Sequence, residues 1–197
     1  MAYIRMDEAR AVGRAAVPLQ KSARRMLAEQ ARAFDAAQSY DIFLSHSFDD
    51  AEVIYGVKRM IEALYLSVYV DWIDDPTLDR SKVTVQTAGV LRERMKACSS
   101  LVYAHSAKSS SSVWMPWELG YFDGAKPQQV WILPLVANDD SEFKGQEYLG
   151  LYPPVEKLSS LAGRIKLGFD HVGSDNRQVL LESAAKGNGV YYVPKQW

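Results

Sequence analysis

A single cysteine, Cys98, stands in a chain of 197 residues, which excludes an internal disulfide. Three scattered histidines, His46, His105 and His171, give no zinc-ligand spacing, so no metal and no resident cofactor is expected. Charge of one sign is also lacking. With 23 basic residues against 24 acidic ones, no net field recruits nucleic acid or an anionic membrane surface, and a charged substrate has to be met locally. No apolar run approaches the length of a membrane span, and the N-terminus has no compact apolar stretch of the secretory kind; a cytoplasmic chain is expected. Three motifs are missing as well. Without G-x-x-x-x-G-K-[ST], G-x-S-x-G or a G-x-G-x-x-G after the first strand, the sequence disfavours NTP hydrolysis, a serine hydrolase and dinucleotide redox chemistry.

What is present suits one core with an appendage: 48% of the residues are hydrophobic, sufficient for one domain of this length. The boundaries expected are a helical extension over residues 1–38 and an α/β domain over 39–197. The extension is rich in alanine and arginine, and Val12, Leu19, Met26 and Ala33 recur every seven residues, with Pro18 dividing the helix in two. That seam either packs on its own domain or pairs copies of the chain, a spacing near 3.5 suiting the latter. Asp7, Glu8, Glu29 and Asp35 argue against a third reading, an arginine-rich targeting peptide.

From Tyr40 onward, short apolar runs alternate with amphipathic stretches, the pattern of a parallel sheet wrapped by helices. Strands are predicted at Ile42-Phe43-Leu44, Val68-Tyr69-Val70, Leu101-Val102-Tyr103-Ala104 and residues 130–136. Between them, Val53, Ile54, Val57, Ile61 and Leu64 define one helix, introduced by a Ser47/Asp50 capping box. Residues 83–97 define a second helix, and a third is expected to start near Pro116 and stop at Gly124. Beyond Val136 the pattern weakens. A short strand is read at 165–167, a helix over 176–185 and an extended segment at 190–193. The fold class is therefore a flavodoxin-like, doubly wound parallel sheet of about five strands.

In such a sheet ligands bind beyond the carboxyl ends of the strands where the winding reverses. That rule selects Ser45, His46, Ser47 and Phe48 after the first strand, and Asp71 and Trp72 after the second. It also selects the serine cluster of residues 106–112, with Trp114, Trp117 and Glu118, after the third. The crevice so formed combines aromatic surface, hydroxyls and a carboxylate. Most of these residues also have a plainer reading. Glu118 suits the first turn of a helix through the macrodipole alone, Ser47 suits a cap, and His46 suits a hydrogen-bonded structural role. Asp71 suits a basic partner, Trp117 an anchor in the core, and the serines an ordinary loop.

Taken with their order and spacing, these segments resemble the Toll/interleukin-receptor (TIR) family over residues 40–136, roughly half the chain. Tyr40-Asp41-Ile42-Phe43-Leu44-Ser45-His46-Ser47 is similar to that family's first box. Val68-Tyr69-Val70-Asp71 matches its second strand, and Asp74 to Lys82 falls where the family has its BB loop. Trp114-Met115-Pro116-Trp117-Glu118 fits the W-x-x-x-E pattern of NAD-cleaving members. The resemblance implies that Glu118 is catalytic and that NAD is a substrate rather than a cofactor. It further implies that copies associate through TIR–TIR contacts, or alternatively that the chain is a non-enzymatic scaffold docking through the same surfaces. Size and the run Glu118-Leu119-Gly120-Tyr121-Phe122-Asp123-Gly124 also resemble the signal-producing component of Thoeris anti-phage defence, whose ADP-ribose-derived product reaches a downstream effector. Some NAD-cleaving relatives carry arginine just after the first strand. Here His46-Ser47-Phe48 stands there, which leaves phosphate recognition to Arg80 or Lys82.

Overall fold

The computed structural model describes residues 2–16, 39–47, 51–75, 78, 80–138, 143, 145–158, 166–170, 177–186 and 192–194. Its centre is a five-stranded parallel sheet built from β1 (Ile4–Arg5), β2 (Tyr40–Ser45), β3 (Val68–Tyr69), β4 (Cys98–His105) and β5 (Val130–Val136), in the order β3-β2-β4-β5-β1. Strands buried on both faces need apolar residues throughout, and all seven residues of β5 are buried.

The two faces carry separate cores. On one, Ile42, Leu44, Val102 and Leu133 meet α2 (Ala51–Glu62), whose Val53, Ile54, Val57 and Ile61 point inward as their spacing predicts. On the other, Phe43, Leu101, Tyr103 and Ile132 meet Leu91 and Met95 of α4 (Val85–Ala97) and Met115, Leu119 and Phe122 of α5 (Trp114–Ala125). Each fully buried side chain of this size stabilises the fold by about 2 kcal/mol relative to exposure. A short helix, α3 (Asp71–Asp74), follows β3 directly, so the strand expected to include Val70 ends one residue earlier. Thr84 caps α4, its hydroxyl accepting from the Thr87 amide at 3.0 Å.

The fifth place in the sheet is taken by the N-terminus: Ile4 and Arg5 pair with Leu135 and Val136. Behind this strand, α1 (Met6–Ala15) packs on α2 through two glycines. A Cβ on Gly56 would lie 1.7 Å from the Ala9 carbonyl oxygen, and one on Gly13 would lie 2.7 Å from that of Glu52. The helices touch backbone to backbone, which only glycine permits. The second helical piece of the extension, with Leu19, Met26 and Ala33, lies outside the described residues, as does the Asp50 end of the capping box.

After β5 the chain forms a 3-10 turn (Glu147–Leu151) and then a second, antiparallel sheet. Its strands are β6 (Glu156–Leu158), β7 (Lys166–Asp170), β8 (Arg177–Leu180) and β9 (Tyr192–Pro194), in sequential order, with α6 (Leu181–Ala185) after β8. The helix expected over 176–185 is therefore half strand. Val179 pairs with Phe169, and this tertiary pairing overrides local propensity. Likewise α5 does not stop at Gly124 but runs to Ala125, closed by Lys126 in an ordinary negative-φ conformation. Among the described residues no helix is long and apolar enough to cross a membrane.

Candidate active site

Ser45 ends β2, beside the β2/β4 junction where the winding reverses. Helix α5 lies over the same face, and Pro116 sits in its first turn, where a missing amide hydrogen costs nothing. Trp114 and Glu118, four residues apart, share the inward face of that helix. Glu118 is fully buried, at 0% exposure, and both its oxygens are engaged. The Ser45 hydroxyl donates to Oε2 at 2.6 Å, and Nη2 of Arg80 donates to Oε1 at 2.5 Å. The other Arg80 nitrogen, Nη1, donates to Oδ2 of Asp71. Trp114 completes the clasp by donating its indole N–H to the Arg80 backbone carbonyl at 2.9 Å. Arg80 is thus held through its side chain and its backbone at once.

Asp71 begins α3 and is itself buried, accepting the Trp72 amide at 2.8 Å. His46 lies against it, with Nε2 3.4 Å from Oδ1. Its Nδ1 also sits 2.8 Å from the Leu44 carbonyl, and the Trp72 indole N–H donates to Nε2 at 2.6 Å.

The two carboxylates share one guanidinium yet are pushed in opposite directions. Burial raises the Glu118 carboxyl above the ordinary range; Arg80 and the Ser45 hydroxyl oppose this, and the Asp71 charge adds to it. Burial is the largest single influence on Asp71 and acts to raise it, but Arg80, His46 and the Trp72 amide together outweigh it and hold the group below its ordinary range. Arg80 stays charged, because its two carboxylate partners overcome the cost of its own burial.

One set of hydrogen bonds therefore joins Ser45, His46, Asp71, Trp72, Arg80, Trp114 and Glu118. Ser47 is buried next to His46, and Lys82 is exposed two residues beyond Arg80; the two Glu118 oxygens are engaged by Ser45 and Arg80. Trp117 stacks on Tyr121, with the Arg92 guanidinium 5.3 Å over its ring, on the half-buried side of α5.

Sequence reasoning passed over two features. Asp75 anchors the start of the loop that carries Arg80, accepting the Tyr69 hydroxyl at 2.8 Å and Arg94 through both Nε (2.6 Å) and Nη2 (2.8 Å). Its partner lies on α4, 19 residues away, and nothing local announces it. Tyr103, read only as part of a strand, stands opposite Ser45 in register. Aligning the two predicted strands would have shown that.

The chain is 56% identical over 138 residues to a Bacillus cereus (strain MSX-D12) protein named "Probable 3' cyclic ADP-D-ribose synthase ThsB'", a match covering 70% of this chain and 71% of that one. The chain belongs to the bacterial Thoeris-type TIR proteins. A second TIR relative, from Cytobacillus dafuensis and named "Putative cyclic ADP-D-ribose synthase TIR2", is 35% identical over 83 residues, 42% of this chain and 22% of that protein. Among solved structures, the TIR domain of the Toll-related receptor TRR-2 from Hydra magnipapillata aligns with a TM-score of 0.43 and 14% identity, over 59% of this chain and 84% of that one. No protein-family model matches the chain.

Proposed function

We infer that this TIR protein cleaves the nicotinamide–ribose bond of NAD and closes the ADP-ribose portion into a cyclic signal in Thoeris anti-phage defence. Two relatives named as cyclic ADP-D-ribose synthases support the activity. The observation that carries the mechanism is the buried Glu118 carboxylate facing a cation at the sheet's switch point.

Nicotinamide in NAD is a pyridinium, so it leaves as a neutral molecule, taking the electron pair of the broken bond and needing no acid. The difficulty lies on the sugar, where positive charge accumulates in an oxocarbenium-like transition state. A carboxylate at that point stabilises the transition state more than the substrate, and the effect is large where water is excluded. Glu118 is such a group. In this structure the Arg80 guanidinium occupies the cationic position opposite it, which the ribosyl ring takes over when the loop carrying Arg80 draws back. The ribosyl carbon is then captured by a nucleophile that loses its proton, either water or an atom from the adenosine end of the same molecule. Exclusion of water favours the second and so a cyclic product.

Ser45 holds the carboxylate, Trp114 limits access and positions Arg80, and Asp71, with His46 and Trp72 behind it, fixes the Arg80 side chain. Lys82 and Ser47 are assigned to contacts with the rest of the nucleotide, and Arg80, once released from Glu118, to its phosphates. Copies of the chain associate through the Arg80 loop and the adjoining start of α4, where Val83 and Val85 are 72% and 81% exposed. The nucleotide product then acts on a downstream effector. Those same valines favour the competing reading, a scaffold that only docks. Incubation with NAD, with separation and mass detection of the products, decides between them: nicotinamide and a cyclic ADP-ribose are expected, and a scaffold yields neither.

A further inference from the structure

The β2/β4 register places a polar group beside Glu118 for which the mechanism above has no use. Tyr103 is the direct neighbour of Ser45 across the parallel pair, so its side chain leaves the sheet on the same face as the hydroxyl that holds Glu118. It is fully buried, and its hydroxyl has no hydrogen-bond partner among the described residues. The same is true of the Tyr148 hydroxyl, on the 3-10 turn after β5. Burial first, then Tyr148 and Glu118, push the Tyr103 phenol upward and keep it protonated; the Tyr148 hydroxyl points toward that of Tyr103 and acts on it, but the two stand too far apart to satisfy each other as hydrogen-bond partners.

Burying a hydroxyl without a partner costs roughly 1–3 kcal/mol, and folds seldom leave two such groups side by side without a reason. We propose that Tyr103 and Tyr148 are substrate-binding residues whose hydroxyls pair with the adjacent hydroxyls of the ribose that faces Glu118. This rests on the NAD reading. The chemistry selects a sugar over a phosphate: a phosphate set beside the Glu118 carboxylate would meet like charge, with neutral phenols as its partners. A ribose diol is neutral, and each of its hydroxyls both donates and accepts, as a phenol does. Two phenols matched to two hydroxyls also fix the rotation of the sugar, and with it the face that the carboxylate meets.

The test compares the full-length chain with Tyr103→Phe and Tyr148→Phe, measuring nicotinamide release from NAD and from an NAD analogue lacking the 2′-hydroxyl on the nicotinamide ribose. Each variant is expected to keep or slightly raise the melting temperature, since it deletes an unpaired hydroxyl, and to lower kcat/KM for NAD about tenfold. The wild type's preference for NAD over the deoxy analogue should shrink in at least one variant, which a merely structural role would not produce. Should Tyr103→Phe fold poorly, Tyr148→Phe, at a half-buried position, gives the same readout. An active wild type whose variants keep both kcat/KM and the preference overturns this inference alone. A wild type that releases no nicotinamide overturns the NAD reading and this inference with it.

Discussion

Arg80 reaches two carboxylates at once, donating to Glu118 at 2.5 Å through one guanidinium nitrogen and to Asp71 through the other. A residue on an irregular loop thereby becomes the counter-charge of the most buried acid at the sheet's switch point. The arrangement stores Glu118 as a carboxylate in a place where burial works to protonate it.

From this follows a pH dependence. Catalysis needs Glu118 ionised, and its carboxyl is raised, so kcat/KM for nicotinamide release should fall on acidification at a pH above the ordinary glutamate range. Arg80→Gln removes the largest opposing influence and should move that acid limb to still higher pH. A pH–rate profile of both proteins checks it, and a limb that moves down or stays fixed contradicts the role given to Arg80.

Asp71 should matter more to stability than to chemistry. Asp71→Asn removes one of the two buried carboxylates that Arg80 pairs with and leaves Glu118 as its counter-charge, so the loss of the charged hydrogen bond is expected to cost about 2 kcal/mol in urea unfolding at neutral pH. The pH signs of the two acids differ. Asp71 is depressed in the fold, so its contribution is present above the ordinary aspartate range and fades as pH falls through its lowered value. Glu118 is raised, so its protonated form is the one the fold favours, and its ionisation weakens the fold as pH rises through the raised value. Glu118→Gln should therefore leave neutral-pH stability unchanged or slightly higher.

The contact between α1 and α2 gives a third expectation. Gly56→Ala forces a methyl group into the Ala9 carbonyl and should destabilise the chain by about 3 kcal/mol. Gly89→Ala, in the interior of α4 with nothing within 4 Å of the new carbon, should instead stabilise it by about 0.5–1 kcal/mol. Thermal melts of the two variants should move in opposite directions.

Much of this architecture is legible in the amino-acid sequence, and the reasons are local. The run of residues 130–136 is apolar throughout because β5 is buried on both faces, and the recurrence from Val53 to Ile61 is the inward stripe of α2. The switch-point rule brings Ser45, Asp71, Trp114 and Glu118 to one place from strand order alone. Less visible is whatever depends on distant pairing. Ile4 and Arg5 are too short to read as a strand until β5 offers them an edge, and Val179 sits in a stretch that reads as helix until β7 lies beside it. The same holds within the site. Arg80 stands out in the sequence only as a cation suited to phosphate, and its engagement by two carboxylates emerges when α3 and α5 converge on the loop.

Nicotinamide release by Glu118→Gln tests most directly whether the Glu118 carboxylate acts on the sugar. A loss of at least about 10²-fold in kcat, with a circular dichroism spectrum and melting temperature like those of the wild type, is the expected result. Turnover retained at the wild-type rate in a folded Glu118→Gln protein would contradict it.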